Sequence, residues 1–114
     1  CEGTQPDCAR RILAPLARRA WRRPVAPGEL DGILSLAHKE QQRTGSFELA
    51  MRTALQAILV SPHFLYRIER DRGTGARPLS DFELATRLAY FLWSSLPDEE
   101  LLRLAEQGKL RAAL

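Results

Sequence analysis

The chain has 114 residues, 45% of them hydrophobic and 27% charged. That is the balance of a globular protein and excludes a disordered polyelectrolyte; the length holds one compact domain, or one small module and the start of a second. No segment approaches the roughly 20 consecutive apolar residues that a bilayer-spanning helix needs. The net charge of +3 hides an asymmetry, since residues 1–78 carry 13 basic and 8 acidic side chains and residues 79–114 carry 4 and 6.

The hydrophobic period is helical along the whole chain. Asp7 is placed to cap a first helix in which Ile12, Leu13, Leu16, Ala17, Ala20 and Trp21 share a stripe. Pro15 lies inside it, where it removes a backbone donor and crowds the previous turn. The apolar spacing passes the proline without a change of phase, so it predicts one bent helix that Pro24 ends. Pro27 and Glu29 open a second helix, with Leu30, Ile33, Leu34 and Ala37 facing inward, and Thr44 and Gly45 break it. Ser46 caps a third, whose stripe of Phe47, Ala50, Met51, Ala54, Leu55, Ile58 and Leu59 is the cleanest in the chain. Ser61 and Pro62 stop it and start a short helical turn through Phe64 and Leu65. Residues 71–78, with Gly73 and Gly75, are the one linker-like stretch.

Ser80 with Glu83 three residues on forms a capping box, and Asp81 adds negative charge where the helix dipole is positive. Leu84, Leu88, Phe91 and Leu92 then form a stripe, with Ala85, Ala89 and Trp93 beside it. That is a wide apolar face of the sort a helix packed on more than one neighbour needs. Ser94 and Ser95 weaken this helix. Pro97 restarts one at a first-turn position, and Asp98, Glu99 and Glu100 complement its dipole. Leu101, Leu102, Leu104 and Ala105 supply its buried side, Gly108 stops it, and a further helix begins at Lys109. The expectation is an all-α fold of five or six short amphipathic helices without a significant sheet. Its core should include Leu13, Leu16, Ile33, Leu55, Ile58, Leu59, Leu88 and Leu92. Residues 1–72 form an N-terminal module, 73–78 a linker and 79–114 the start of a second module.

Residues with chemical potential are few. Arg10, Arg11, Arg18, Arg19, Arg22 and Arg23 occur with no acid between Asp7 and Glu29. Such a cluster suits a polyanion. It equally suits pairing with carboxylates of neighbouring helices, such as Glu83 or Asp98, Glu99 and Glu100, because the planar guanidinium matches a carboxylate. The second account is favoured, because Trp21 is the only aromatic residue interleaved with the arginines and a single-strand binder needs more. His38 and His63 stand on separate helices without a carboxylate at a recognised spacing, and are read as surface or part-buried histidines. Trp21, Tyr66, Tyr90 and Trp93 are candidates for a sugar site, although aromatics at helical spacing are usually core. Cys1 and Cys8 lack the spacing and partner ligands of a zinc site and are not a Cys-x-x-Cys redox pair. A disulfide closing the short loop between them fits a secreted protein. No catalytic residue and no metal site is assigned, and the fragment is expected not to be an enzyme by itself.

Three stretches, ELATRLAYFLWSSLPDEEL from Glu83, LARRAWRRPV from Leu16 and ALQAILVSPHFLYR from Ala54, carry a resemblance. The first resembles the helical domain of unknown function found in very large planctomycete-type and myxobacterial proteins, which often also carry a cytochrome-c-like domain. The other two resemble the smaller module that precedes it. The resemblance implies an extracytoplasmic, multi-domain parent and no particular reaction. It transfers no haem, because the chain has no Cys-x-x-Cys-His motif; haem would belong to another domain of the parent. The absence of an initiator Met agrees with an excised or processed piece.

Two functional readings follow. In the first, the chain is a structural, interdomain module whose partners are other domains of the same parent. In the second, a basic face holding Arg18, Arg19, Arg22 and Arg23 binds an acidic polysaccharide or other polyanion, with nucleic acid disfavoured.

Overall fold

The computed structural model describes residues 7–69, 75 and 77–113. The protein is all-α: α1 (Cys8–Trp21), α2 (Asp31–Thr44), α3 (Phe47–Leu59), α4 (Pro62–Leu65), α5 (Asp81–Trp93) and α6 (Glu99–Glu106), followed by a 3-10 turn (Arg111–Ala113). There is no strand among the described residues. Packing divides the chain into two compact units, Cys1–Tyr66 and Arg67–Leu114.

In the first unit α1 runs through Pro15 without interruption. Asp7 occupies the cap position but does not cap. Its backbone is right-handed helical (φ −86°, ψ −5°), whereas a capping side chain needs an extended backbone to reach the first-turn amides. The helix also ends before Pro24. Arg22 adopts the left-handed conformation (φ 59°), and its amide donates to the Arg19 carbonyl at 3.3 Å. The second helix starts later than Pro27 and Glu29 suggest. Gly28 takes a φ of +88°, which only glycine adopts freely, so residues 27–30 form a turn and α2 begins at Asp31. Gly45 ends α2 in the left-handed region, and Ser46 caps α3 by accepting from the Leu49 amide at 3.3 Å. Ser61 accepts from the His63 amide, and Pro62 takes the first position of α4.

The core of this unit is built on small side chains. Ala50, Ala54 and Ile58, spaced by four, form the buried edge of α3, and Leu13, Ala17 and Ala20 that of α1. Alanine at the contact lets helix axes approach closely. That places the buried strip of α3 on the 50/54/58 line and turns the next line outward, so Leu55 (37% exposed) and Leu59 (46%) are not core residues. Leu16 (39%) is likewise outward. Leu13 and Ile58 are fully buried as expected, and Ile33 is half-buried against the core.

In the second unit both halves of the capping box form: Glu83 N–H donates to Ser80 Oγ at 3.2 Å, and Ser80 N–H to Glu83 Oε2 at 2.7 Å. Arg77 places a two-pronged contact on the same carboxylate at 2.8 and 3.0 Å. Before it in the chain, Glu69 takes the Arg87 guanidinium at 2.7 and 2.6 Å. Ser94, left-handed at φ 52°, ends α5. Pro97 is not in the first turn of α6; it precedes the cap, and Asp98 is the capping residue, accepting from the Leu101 amide at 2.8 Å. The end of α6 is a Schellman motif: Lys109 N–H donates to the Leu104 carbonyl at 3.0 Å and Gly108 N–H to that of Ala105 at 3.1 Å, with Gly108 at φ +63°. No α-helix starts at Lys109. The chain turns back instead, Leu110 is buried with Ala85 and Ala105, and its amide donates to Asp81 Oδ2 at 3.2 Å. Ala85, Thr86 and Ala89 are the buried residues of α5, and Leu88 is half-buried. Leu92, expected in the core, is 58% exposed.

Candidate functional site

The densest polar cluster with long-range partners lies where α1 ends against α4. Arg22 is buried to 5% exposure, and its guanidinium is spent on four backbone carbonyls. Nη2 donates to His63 and Tyr66, both at 2.8 Å, and Nη1 to Phe64 and Ala20, both at 3.2 Å. Those carbonyls close the last turns of α1 and α4, where helix carbonyls lack intrahelical partners and the helix dipole is negative. One cation therefore caps two helices. The left-handed backbone of Arg22 is what turns the side chain off α1 toward α4.

Arg23, the next residue, takes different partners. Its guanidinium grips Glu29 with two hydrogen bonds, 2.8 and 2.7 Å, and stands 5.6 Å from the centre of the Trp21 ring. Glu29 also accepts from the Ala26 amide at 2.6 Å. The Arg23 hydrogen bonds, helped by that amide and opposed by burial, hold the Glu29 carboxyl down at about 2, and they raise Arg23 in turn. His63 completes the group. Its ring is tilted 5.3 Å from that of Trp21, and its Nε2 lies 3.9 Å from Glu29 Oε1. Trp21 itself is buried and donates Nε1–H to the Ile58 carbonyl at 3.4 Å.

The four arginines singled out in the sequence stand in different surroundings. Arg22 and Arg23 are engaged inside the first unit, Arg18 is half-buried, and Arg19 is exposed. Arg10 pairs with Asp31 at 2.6 Å, and Arg11 is exposed. Of the carboxylates expected to receive these arginines, Glu83 pairs with Arg77 and Glu100 with Arg103. Sequence spacing missed Glu29 and His63, because 34 positions separate them and only the fold brings them together. The pairing of Arg23 with Glu29, six residues apart across a proline-rich turn, was within reach of a charge-pattern reading.

His38 shares a hydrogen bond with Gln42, 3.0 Å away on the same helix. The four aromatic candidates for a sugar site divide: Trp21 is core, Tyr90 is half-buried with the Arg67 guanidinium 5.0 Å from its ring centre, and Tyr66 and Trp93 are exposed. Cys8 is buried at the start of α1; Cys1, its expected disulfide partner, lies outside the described residues. Among the described residues no group of three or more His, Cys, Asp or Glu side chains is placed to hold a metal ion, and no helix is long and apolar enough to cross a membrane. In chemical terms the α1–α4 junction is a structural lock, since its cations, its carboxylate and its indole N–H all bond within the fold.

Neither the curated proteins nor the solved structures contain a match to the chain. Two family models do match. Residues 79–113 are similar to PSD4, described as a protein of unknown function (DUF1592). Residues 8–69, more than half of the chain, match PSD5, and the chain belongs to that family, described as a protein of unknown function (DUF1595).

Proposed function

We propose that the chain is a structural, interdomain helical module of a large, extracytoplasmic, multi-domain bacterial protein. The observation that carries this reading is the outward apolar surface at the end of α5, where Phe91 is 85% exposed and Trp93 59%. Apolar surface of this kind, rimmed by polar residues, marks a place where another protein surface packs. Two further observations support it. Matches to two different domain families stand in tandem on this one chain. The most elaborate polar cluster, around Arg22 and Glu29, is engaged in holding helices together. In this reading the partners are other domains of the parent, haem belongs to one of those domains, and Cys1 and Cys8 form a disulfide in an oxidising compartment.

The test is to fractionate cells that make the native protein and map by mass spectrometry the polypeptide in which residues 8–113 occur. A longer chain with further domains, found outside the cytoplasm, is the expected result. A cytoplasmic polypeptide consisting of these two modules alone would sink the proposal.

A further inference from the structure

α5 carries a polar stripe beside the buried line of Ala85, Thr86 and Ala89. Glu83, Arg87 and Tyr90 recur at helical spacing, and each is engaged by a residue that precedes the helix in the chain. The Arg67 guanidinium stands 5.0 Å from the centre of the Tyr90 ring. Glu69 takes the Arg87 guanidinium at 2.7 and 2.6 Å, and Arg77 grips the Glu83 carboxylate at 2.8 and 3.0 Å. The characters match in order: arginine, glutamate and arginine meet an aromatic face, a guanidinium and a carboxylate. Residue 67 meets 90 and residue 69 meets 87, so this segment runs antiparallel to α5. Ile68, between the two contacts, is 50% exposed. Residues 67–69 close the stretch that matches the first family, 8–69, yet they pack within the second compact unit, Arg67–Leu114. One residue earlier, Tyr66 is tied by its carbonyl to Arg22 in the first unit.

We infer that the end of the first family's module, residues 67–69, is a strap that α5 of the second module recognises by charge through Arg87 and Tyr90. The first module thereby supplies part of the second, which couples the two families on this chain. The inference concerns residues of this chain alone and goes beyond the interdomain reading, since it needs no further domain. Recognition is selective because a carboxylate matches the two-pronged guanidinium of Arg87, and a cation suits the negative face of the Tyr90 ring. An arginine at 69 would meet Arg87 with like charge. The hydrogen bonds from Arg87 hold the Glu69 carboxyl below its ordinary range, and Arg87 is raised in turn. Both contacts are exposed to water, so the strap is a weak, salt-sensitive clasp that can release, unlike the buried lock around Arg22.

Amide hydrogen exchange on the full 114-residue chain, read by mass spectrometry for each helix, tests this. Glu69→Arg should speed exchange along α5 about two- to five-fold, the range an exposed ion pair supports, and leave α3 unchanged. Glu69 lies outside α5, so the effect cannot arise from helix propensity. Adding Arg87→Glu to that variant should restore most of the lost protection, because the pair is rebuilt with its signs exchanged. Arg67→Gln should speed exchange in the last turns of α5. Raising the salt concentration should speed α5 exchange in the wild type and much less in Glu69→Gln. Unchanged α5 exchange in Glu69→Arg overturns the inference. Faster exchange in α1–α4 with α5 unaffected assigns residues 67–69 to the first module alone and also overturns it. A double variant no better protected than Glu69→Arg refutes the pairing on which the strap depends.

Discussion

Arg22 Nη2 donates to the Tyr66 carbonyl at 2.8 Å, tying the residue that ends α1 to the residue that follows α4. The pairing joins positions 44 apart in the chain, and three more carbonyls share the same guanidinium. Arg22→Gln should therefore destabilise the protein by about 2–4 kcal/mol, because four carbonyls lose a buried, charged donor at once. Arg22→Gly separates two effects: it relieves the left-handed backbone while removing the fork. Chemical denaturation followed by circular dichroism should place both variants well below the wild type; a glycine variant as stable as wild type means the guanidinium contributes no more than the backbone relief returns.

The Glu29 carboxyl is held at about 2 in the fold, chiefly by Arg23, against an ordinary value near 4.5. A depressed carboxyl stabilises the folded state above its unfolded pKa and loses that contribution as the pH falls through its folded one. Stability of the first unit should accordingly decline between about pH 4.5 and pH 2, and Glu29→Gln should remove that part of the decline while lowering stability at pH 7. Thermal melts of the two proteins across this range decide the matter: parallel curves mean the Arg23 contact is not what holds Glu29.

Burial separates two neighbouring positions on α3. Ile58 is 1% exposed and Leu55 37%. Ile58→Ala should cost about 2–5 kcal/mol as a core truncation, and Leu55→Ala much less. Ala54→Leu should cost about 1–3 kcal/mol, since it forces a branched side chain into the close approach. Urea midpoints at constant m-value give the ranking, and a Leu55→Ala loss equal to that of Ile58→Ala would show that this face is buried in solution.

Replacing Arg18, Arg19, Arg22 and Arg23 together by Gln should lower the melting temperature, because Arg22 and Arg23 hold internal partners and Glu29 is left without its cation. Arg19→Gln alone should leave it unchanged. A basic binding face behaves differently: retention on a heparin column would fall steeply with salt and vanish in a quadruple variant that stays folded. We expect lost stability with little specific retention.

Cys1 and Cys8 should be oxidised in protein taken from an oxidising compartment. Titration of the longer native chain under denaturing conditions, without reductant, should find neither thiol. Two reactive thiols there would remove both the disulfide and part of the argument for an extracytoplasmic parent.

Much of the fold was legible in the sequence because it is written in local rules. Ser46, Ser61 and the Ser80 and Glu83 pair act within three or four residues of themselves, so their spacing alone placed helix starts that the structure shows. Asp7 failed as a cap because its own backbone is right-handed helical, and Pro24, Pro27 and Glu29 failed as helix boundaries because the left-handed backbones of Arg22 and Gly28 had already set the chain direction there.

What the sequence determined by itself was an all-α fold of five or six short helices and the apolar arc of each helix, since hydrophobic period and capping chemistry are properties of neighbouring residues. What only the tertiary structure decided was which part of each arc is covered and what each charge meets. The arc of α3 includes Ala54 and Leu55 alike, and close approach of the helices buried the alanine line. The arginines at 22 and 23 look alike in sequence. A left-handed residue at the end of α1 sent one to the carbonyls of α4 and the other to Glu29, because burial and pairing depend on where distant segments come to rest.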